Sequence, residues 1–139
     1  MKSLHTLLKL AQRDLETLRR ALAEQIARQT AVYDRIQGHE QTILNEQKAA
    51  LRDYESGRAY GGYAAAALAV RRALASEHES IGLEIDRLRT LIAEAHVETR
   101  KFERLIELDE ARKKVAAAKR DNAELDEFAT LRAGRGSRR

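Results

Sequence analysis

Histidines and carboxylates are the side chains of this chain with the most obvious capacity for chemistry, since none of its 139 residues is cysteine. The four histidines are His5, His39, His78 and His96. None of them has an Asp, a Glu or a second His three or four positions away, the spacing that places two metal ligands on one helix face. We therefore expect no helical metal site, and without cysteine there is no thiolate site and no disulfide.

The remaining chemical patterns also fail. The carboxylates alternate with Lys and Arg, as on a solvated helix surface, and no pocket is expected that would shift their pKa for acid or base catalysis. The glycine-rich stretch 57–62 lacks the Lys-Ser/Thr pair and the preceding strand of a phosphate-binding loop. No serine lies in a nucleophile elbow. The sequence thus predicts a protein that is not an enzyme and takes no cofactor.

The composition favours long helices over a thick globular core. Hydrophobic residues make up 43% and charged residues 35%, while aromatics are 4% and proline is absent. This composition is typical of coiled coils, and the length predicts a single domain over 1–139. No apolar run reaches 18 residues and the first ten residues do not resemble a signal peptide, so a cytoplasmic location is expected.

Heptad repeats define two helices. The first, predicted over 3–56, has mostly apolar seam positions, with Gln25 and Gln29 as polar exceptions: Leu4, Leu8, Ala11, Leu15, Leu18, Leu22, Gln25, Gln29, Val32, Ile36, His39 and Ile43. The second, predicted over 63–131, has them at Leu74, Ile81, Ile85, Leu88, Ile92, Ala95, Thr99, Phe102 and Ile106. Such repeats indicate a narrow seam between two helices. The apolar line then changes phase and resumes at Leu108, which indicates a stutter.

The glycines place the expected turn. Three of the seven fall at 57–62, where they weaken a helix by about 1 kcal/mol each. We therefore expect an all-α fold, an antiparallel two-helix coiled-coil hairpin with its turn at 57–62. In that register Leu4 lies opposite Val115, and the C-terminal helix overhangs the N-terminus. Residues 132–139, rich in Gly and Arg, are expected to form a basic disordered tail.

The overhang is the candidate contact surface. Residues 111–139 contain nine Lys/Arg and four acidic residues, an excess larger than the formal net charge of +4. Leu125 and Phe128 are three apart and share a helix face that the chain itself leaves uncovered. The pair is interpreted either as an insertion point for another protein or as part of a frayed helix end.

Two other functions remain open on the residues alone. The basic end is compatible with a nucleic-acid-binding coiled coil, although acidic residues are interspersed and no aromatic residue alternates with the basic ones. The chain is also compatible with a generic structural coiled coil, in which the glycines merely bend one long helix and two chains dimerise.

The run Leu125-Asp126-Glu127-Phe128-Ala129 carries a family resemblance. It is similar to the Asp-Glu-Phe-Ala run near the C-terminus of the FliJ family of flagellar export proteins, which is also followed by a short basic tail. The leucine-rich opening, from Leu4 to Leu10 and on to Leu22, resembles the start of that family as well. The likeness in length and layout covers nearly the whole chain.

This resemblance implies a fold similar to the central stalk of rotary ATPases, and a non-enzymatic role in the flagellar type III export apparatus. The paired termini would insert into the hexameric export ATPase and promote ring assembly. Other surfaces would contact the transmembrane export gate protein and export chaperones. The protein would be cytoplasmic, held at the cytoplasmic face of the inner membrane only through these partners. It would be a monomer alone, with no nucleic acid partner.

Ten residues are predicted to contact partners. The ATPase-facing set is Leu4, Leu8, Lys119, Arg120, Leu125, Asp126, Glu127 and Phe128. Tyr63 and Leu68 are the candidate export-gate contacts, although the alanine-rich stretch 64–69 stands where the family would have larger side chains. Three tyrosines near the turn, Tyr54, Tyr60 and Tyr63, are interpreted either as cover for its backbone or as an exposed aromatic patch.

Overall fold

Two helices account for nearly all of residues 2–137, the part of the chain that the computed structural model describes. Helix α1 spans Lys2–Arg52 and helix α2 spans Tyr54–Ser137, with Asp53 as the one residue between them. The two helices pack together as an all-α hairpin, which confirms the predicted fold class. The alternative of one bent helix that pairs only with a second chain is therefore wrong.

The helices run antiparallel. Arg71 forms a bidentate ion pair with Glu40, with nitrogen–oxygen distances of 2.7 and 2.8 Å. Farther from the turn, Arg35 Nη1 lies 3.3 Å from Glu77 Oε2. Residue numbers therefore rise along α1 as they fall along α2, as in a hairpin. Because these pairs are exposed, we assign each of them less than about 1 kcal/mol of stability.

Internal contacts divide the chain into two units. The first, here called the hairpin unit, comprises Asp14–Glu94. Its buried core is formed by seam residues of both helices: Leu15, Val32, Ala67, Leu74, Ile85 and Leu88. Five of these six were predicted from the heptads, whereas Ala67 was not. Full burial of a Leu, Ile or Val side chain contributes about 1.5–3 kcal/mol, so this seam supplies most of the unit's stability.

The second unit, here called the terminal unit, combines residues up to Arg13 with residues from Ala95 onward. Its seam holds Leu4, Leu8, Ala11, Thr99, Phe102 and Ile106, which are all half-buried or buried. Asp109 is the last residue of this seam that is shielded. Val115 is 56% exposed and lies beyond this seam, so the register that placed Leu4 opposite Val115 is wrong because the chain breaks at Asp53. The overhang accordingly begins near residue 110.

The turn is not where the glycines predicted it. The chain breaks at Asp53, and the stretch 57–62 lies inside α2. Asp53 caps the new helix: its Oδ1 accepts a hydrogen bond from the backbone N–H of Glu55 at 3.2 Å. The carbonyl of Asp53 accepts another from the N–H of Gly57 at 3.0 Å. Such a cap is worth about 1 kcal/mol, so it favours a helix that starts at Tyr54.

The glycines have other consequences. None within residues 2–137 has a positive φ, so no turn uses their conformational freedom. A Cβ on Gly57 would lie 3.0 Å from the carbonyl oxygen of Ala50, so Gly57 permits the close approach of the two helices beside the break. Gly61 and Gly62 face open space. The predicted helix ends at residues 56 and 63 are therefore wrong, because packing and capping outweigh local glycine propensity.

The C-terminal boundary also differs from the prediction. Helix α2 continues to Ser137, so the expected disorder of 132–139 is wrong as far as residue 137. Arg138 and Arg139 lie outside the described residues. Arg and Ala are good helix formers, and Arg135 lies in the last turn, where a positive charge interacts favourably with the helix dipole.

Candidate protein-docking site

The C-terminal part of α2 is almost entirely exposed within the described residues. We call residues 110–137 the projecting segment. Between residues 110 and 136 every side chain is exposed except Ala117, which is half-buried. At about 1.5 Å per residue, the segment is about 40 Å long. Most helices in proteins are stabilised by packing, so contact with another surface would stabilise this segment.

Large apolar side chains lie exposed on this segment. Leu125, Phe128 and Leu131 are 66%, 62% and 61% exposed. Phe128 and Leu131 also line a shallow depression of about 350 Å³ together with Arg132 and Arg135. Leu125 and Phe128 were predicted from the sequence. Leu131 was missed, although its spacing of three residues from Phe128 was a sufficient signal.

The charged residues of the predicted ATPase-facing set belong to the same segment. Lys119, Arg120, Asp126 and Glu127 are all exposed on α2. The helix is intact around them, and the carbonyl of Asp126 accepts a hydrogen bond from the Thr130 hydroxyl at 2.9 Å. One continuous helix therefore presents the cationic residues, the acidic residues and Phe128 in that order.

The N-terminal members of the set lie elsewhere. Leu4 and Leu8 are half-buried in the seam of the terminal unit. That seam ends near Asp109, whereas Phe128 is 19 residues farther along α2, or about 28 Å. The structure thus does not bring Leu4 and Leu8 together with Phe128. Both leucines are half-buried heptad positions of the terminal unit.

An ion pair marks the base of the projecting segment. Lys113 Nζ lies 3.3 Å from Asp109 Oδ2, one helical turn away. The hydrogen bond from Lys113 lowers the pKa of Asp109, and the same bond raises the pKa of Lys113. Both side chains are therefore charged at neutral pH.

The two candidate gate contacts do not share a surface. Tyr63 is half-buried, and its hydroxyl is buried with no hydrogen-bond partner among the described residues. Burial is the main cause that raises the pKa of this tyrosine. Leu68 is 44% exposed and borders a separate depression beside Ile43 and Arg71. Five residues separate Tyr63 from Leu68, so they point about 140° apart on the helix.

The aromatic residues near the turn behave differently from one another. The rings of Tyr60 and Tyr63 lie 6.1 Å apart between centroids and are tilted by 36°. Tyr54 is 82% exposed and Leu51 is 88% exposed, one on each side of Asp53. Tyr54 therefore does not cover the turn. The exposure of Leu51 was not predicted, because the sequence does not distinguish a seam leucine from an exposed one unless the pairing register of the two helices is known.

Two searches of the described structure had negative outcomes. Among residues 2–137 no group of three or more His, Asp or Glu side chains is arranged to hold a metal ion. No helix in that range combines the length and the apolar character that a membrane span requires.

The two packed helices define a class of protein, the all-α helical hairpin. The family model described as flagellar FliJ protein matches residues 1–138, and the chain belongs to this family. It is accordingly a component of the flagellar export apparatus, in a family not known for enzymatic activity. Comparison with curated proteins gave no match, and comparison with solved structures gave none either.

Proposed function

We propose that the projecting segment inserts into the hexameric export ATPase as a central stalk, and that insertion promotes ring assembly. Exposure carries this proposal: Leu125, Phe128 and Leu131 are each more than 60% exposed on a stretch of α2 whose described side chains are almost all exposed. Burial of these side chains in a partner would release an apolar surface from water and stabilise the extended helix at the same time.

An effect on ring assembly requires that the projecting segment bind separate ATPase subunits and the assembled ring with different affinities. A rod shifts the equilibrium between separate ATPase subunits and the ring only if it binds the ring more tightly. The projecting segment is narrow enough to be contacted by several subunits, so each added subunit gains contacts with it. Lys119 and Arg120 on one side of the acidic run, and Arg132 on the other, supply charges that orient the helix as it enters.

The experiment uses leucines of equal exposure. Leu125 and Leu83 are 66% and 64% exposed on α2, but Leu83 lies in the hairpin unit. The export ATPase of the same flagellar system is assayed for activity and for hexamer formation, by sedimentation, with each purified full-length variant. Leu125→Ala and Phe128→Ala are expected to weaken both effects, whereas Leu83→Ala retains them.

The size of the effect follows from typical interface energies. Loss of a central aromatic side chain costs about 2 kcal/mol or more in binding, so the Kd rises by roughly 30-fold for Phe128→Ala. An unchanged ATPase response in both projecting-segment variants would reject the insertion site. Equal losses in the Leu83→Ala control would show that the assay reports general stability.

A second part of the proposal concerns the remaining partners. The export gate and export chaperones are proposed to bind the hairpin unit, which leaves the projecting segment free for the ATPase. The depression beside Leu68 and the exposed Leu51 and Tyr54 support such a contact. Through these partners the protein would be cytoplasmic and held at the cytoplasmic face of the inner membrane. Leu68→Arg should then reduce gate binding in a pull-down and leave ATPase stimulation intact.

A further inference from the structure

A second apolar stripe begins on α2 where the seam ends. Its residues alternate spacings of three and four over 108–129, as the contact positions of a coiled coil do. Asn122 is the one polar member, and the apolar members are Leu108, Ala111, Val115, Ala118, Leu125 and Ala129. At about 100° per residue, all seven lie within an arc of about 100°. We call these seven residues the outer stripe.

The outer stripe lies on the opposite side of α2 from the seam. Ile106, the last apolar residue of the seam, comes two residues before Leu108, so these two side chains point about 160° apart. The same spacing continued back toward the paired region falls on Lys101 and Arg104, which are charged. All seven stripe residues are exposed. The apolar face of α2 therefore changes sides where its pairing with α1 ends.

Charged residues flank the outer stripe in a fixed order. Lys114 and Asp121 lie along one edge, and Arg112, Lys119 and Asp126 lie along the other. All five side chains are exposed. Both edges are thus basic in the half nearer the seam and acidic in the half nearer the C-terminus. This order is complementary to itself when it is reversed.

We propose that a second copy of this chain covers the outer stripe, in an antiparallel two-helix coiled coil centred near residue 120. In that register Val115 lies opposite Leu125 of the second copy, and Asn122 lies opposite Ala118 of the second copy. The two copies use the same surface, so a two-fold axis relates them and each contact occurs twice. The proposal does not depend on insertion into the ATPase.

The flanking charges favour the antiparallel direction. In the antiparallel pair the basic half of each copy lies along the acidic half of the other, with Arg112 beside Asp126 of the second copy. A parallel pair would place Lys114 beside Lys119 of the second copy, and Asp121 beside Asp126 of the second copy, so like charges would meet. Near the antiparallel axis, Lys119 and Asp121 each meet their own counterpart, and this reduces the net attraction.

The contact is small, so the pairing is weak. Residues 108–129 extend over about 33 Å, and a helix is about 10 Å wide, so each copy contributes a face of roughly 300 Å². A stable complex buries about 800 Å² per partner, and we therefore expect a Kd of about 100 μM. The monomer that the family resemblance implies is then the form present at low concentration.

Pairing covers part of the surface assigned to the ATPase. Leu125 lies at the edge of the outer stripe and is also one of the residues proposed to enter the ring. Phe128 and Leu131 point about 110° and 170° away from the centre of the stripe, so they stay outside the pair. A second copy and the ATPase therefore compete for Leu125, and the free protein covers this side chain where it is concentrated.

Disulfide crosslinking tests the direction of pairing, because the protein contains no cysteine. Full-length A118C with an affinity tag and untagged N122C are mixed in equal amounts and oxidised. The antiparallel register places these two positions opposite each other, so mixed disulfide dimers should outnumber same-variant dimers by about fivefold. An excess of same-variant dimers would indicate a parallel pair and would overturn the proposal.

The mixture of A116C with A123C is the matched control. In the antiparallel pair these positions lie at nearly the same height as each other, but they point about 130° and 110° away from the centre of the outer stripe. Their disulfides should form at least about tenfold more slowly than those between A118C and N122C. Equal rates would show that the crosslinks arise from random collisions, and would also overturn the proposal.

Sedimentation equilibrium measures the pairing without crosslinks. Between about 5 and 500 μM in low salt, the mass of the full-length protein should rise from 15.7 kDa toward twice that value. High salt should raise the Kd severalfold, because it screens the opposite charges. A monomer at every concentration, or tighter pairing in high salt, would overturn the proposal.

Two substitutions by glutamate locate the contact. Val115→Glu places a charge inside the outer stripe and should raise the Kd of the pair about tenfold or more. Ala116→Glu introduces the same charge one residue away, about 100° around the helix, and should change the Kd by less than about twofold. Circular dichroism checks that both variants keep their helix. Equal effects of the two substitutions on the Kd would contradict the assignment of the stripe.

These tests are independent of the proposed function, since none of them contains the ATPase. If Phe128→Ala and Leu125→Ala leave the ATPase response unchanged, the insertion is wrong and a measured dimer still stands. If the protein stays monomeric, the pairing is wrong and the insertion still stands.

Discussion

Alanine at Gly61 and Gly62 is expected to stabilise the protein. Both glycines lie inside α2, and a Cβ at either position meets nothing within 4 Å. Alanine is better than glycine in a helix interior by about 0.5–1 kcal/mol. The double variant G61A/G62A should therefore gain about 1–2 kcal/mol in the free energy of unfolding. For a chain of this size, the midpoint of thermal unfolding should rise by about 4–8 °C.

Gly57 supplies the matched control. A Cβ there would lie 3.0 Å from the carbonyl oxygen of Ala50, a backbone atom that moves only if the two helices shift. Alanine at position 57 gains the same helix propensity, but the added methyl group strains the tight packing of the two helices beside the break, and this strain offsets the gain. We expect G57A to be no more stable than the wild-type protein, and less stable than G61A.

Thermal and urea unfolding, followed by circular dichroism, measure all three variants. If residues 57–62 formed a turn with left-handed glycines, alanine at Gly61 and Gly62 would destabilise the fold. A loss of stability in G61A/G62A would therefore refute the placement of the break at Asp53. A gain in G57A as large as that in G61A would refute the close helix contact.

Three further predictions concern single side chains. Asp53→Ala should lower the free energy of unfolding by about 1 kcal/mol, while Asp53→Asn, which still caps, should retain most of it in the same urea experiments. The hydrogen bonds from Arg87 to Glu84, at 2.6 and 2.9 Å, lower the pKa of that carboxyl. The stability that they provide should be fully present above the ordinary pKa of glutamate and lost as pH falls through the lowered value, so the difference between wild type and Glu84→Gln should vanish in acid. Thr99 is 8% exposed, and its hydroxyl has no hydrogen-bond partner within the described residues. Thr99→Val should therefore raise the midpoint of thermal unfolding. A lowered midpoint would show that the hydroxyl forms a hydrogen bond in the folded protein.

The seam was predictable because its signal is repeated. Leu15, Val32 and Leu88 were all placed on the contact face by a period that many residues share. A single error in the turn does not disturb such a pattern within one helix. It does change which residues lie opposite one another, and this is why Leu4 was wrongly placed opposite Val115.

The turn was misplaced because glycine was weighted above capping. The residues around the break carried a helix-end signal of their own: Arg52 closes α1 with a positive charge, and Asp53 and Glu55 open α2 with negative ones. The favourable interactions of these charges with the two helix ends all act at the break. The glycine penalties at 57–62 are spread over a helix that the following alanines stabilise.

The candidate site was predictable in part. Phe128 was identified by its short sequence run and is exposed as expected. Leu4 and Leu8 were assigned both to the seam and to the same site, and they are half-buried in the seam. That distinction depends on where α1 begins opposite α2, which follows from the register and not from the residues themselves. Whether any of these side chains touches the ATPase stays a prediction.

The one-residue joint at Asp53 restricts how the length of this protein can vary. Seven extra residues in α1 alone, between the joint and the ion pairs, would preserve its heptad phase and still displace Glu40 from Arg71 by about 10 Å. An insertion there must be matched by an equal one in α2. The described residues beyond 110 are almost all exposed, so insertions and deletions should accumulate in the length of this segment and spare the paired region.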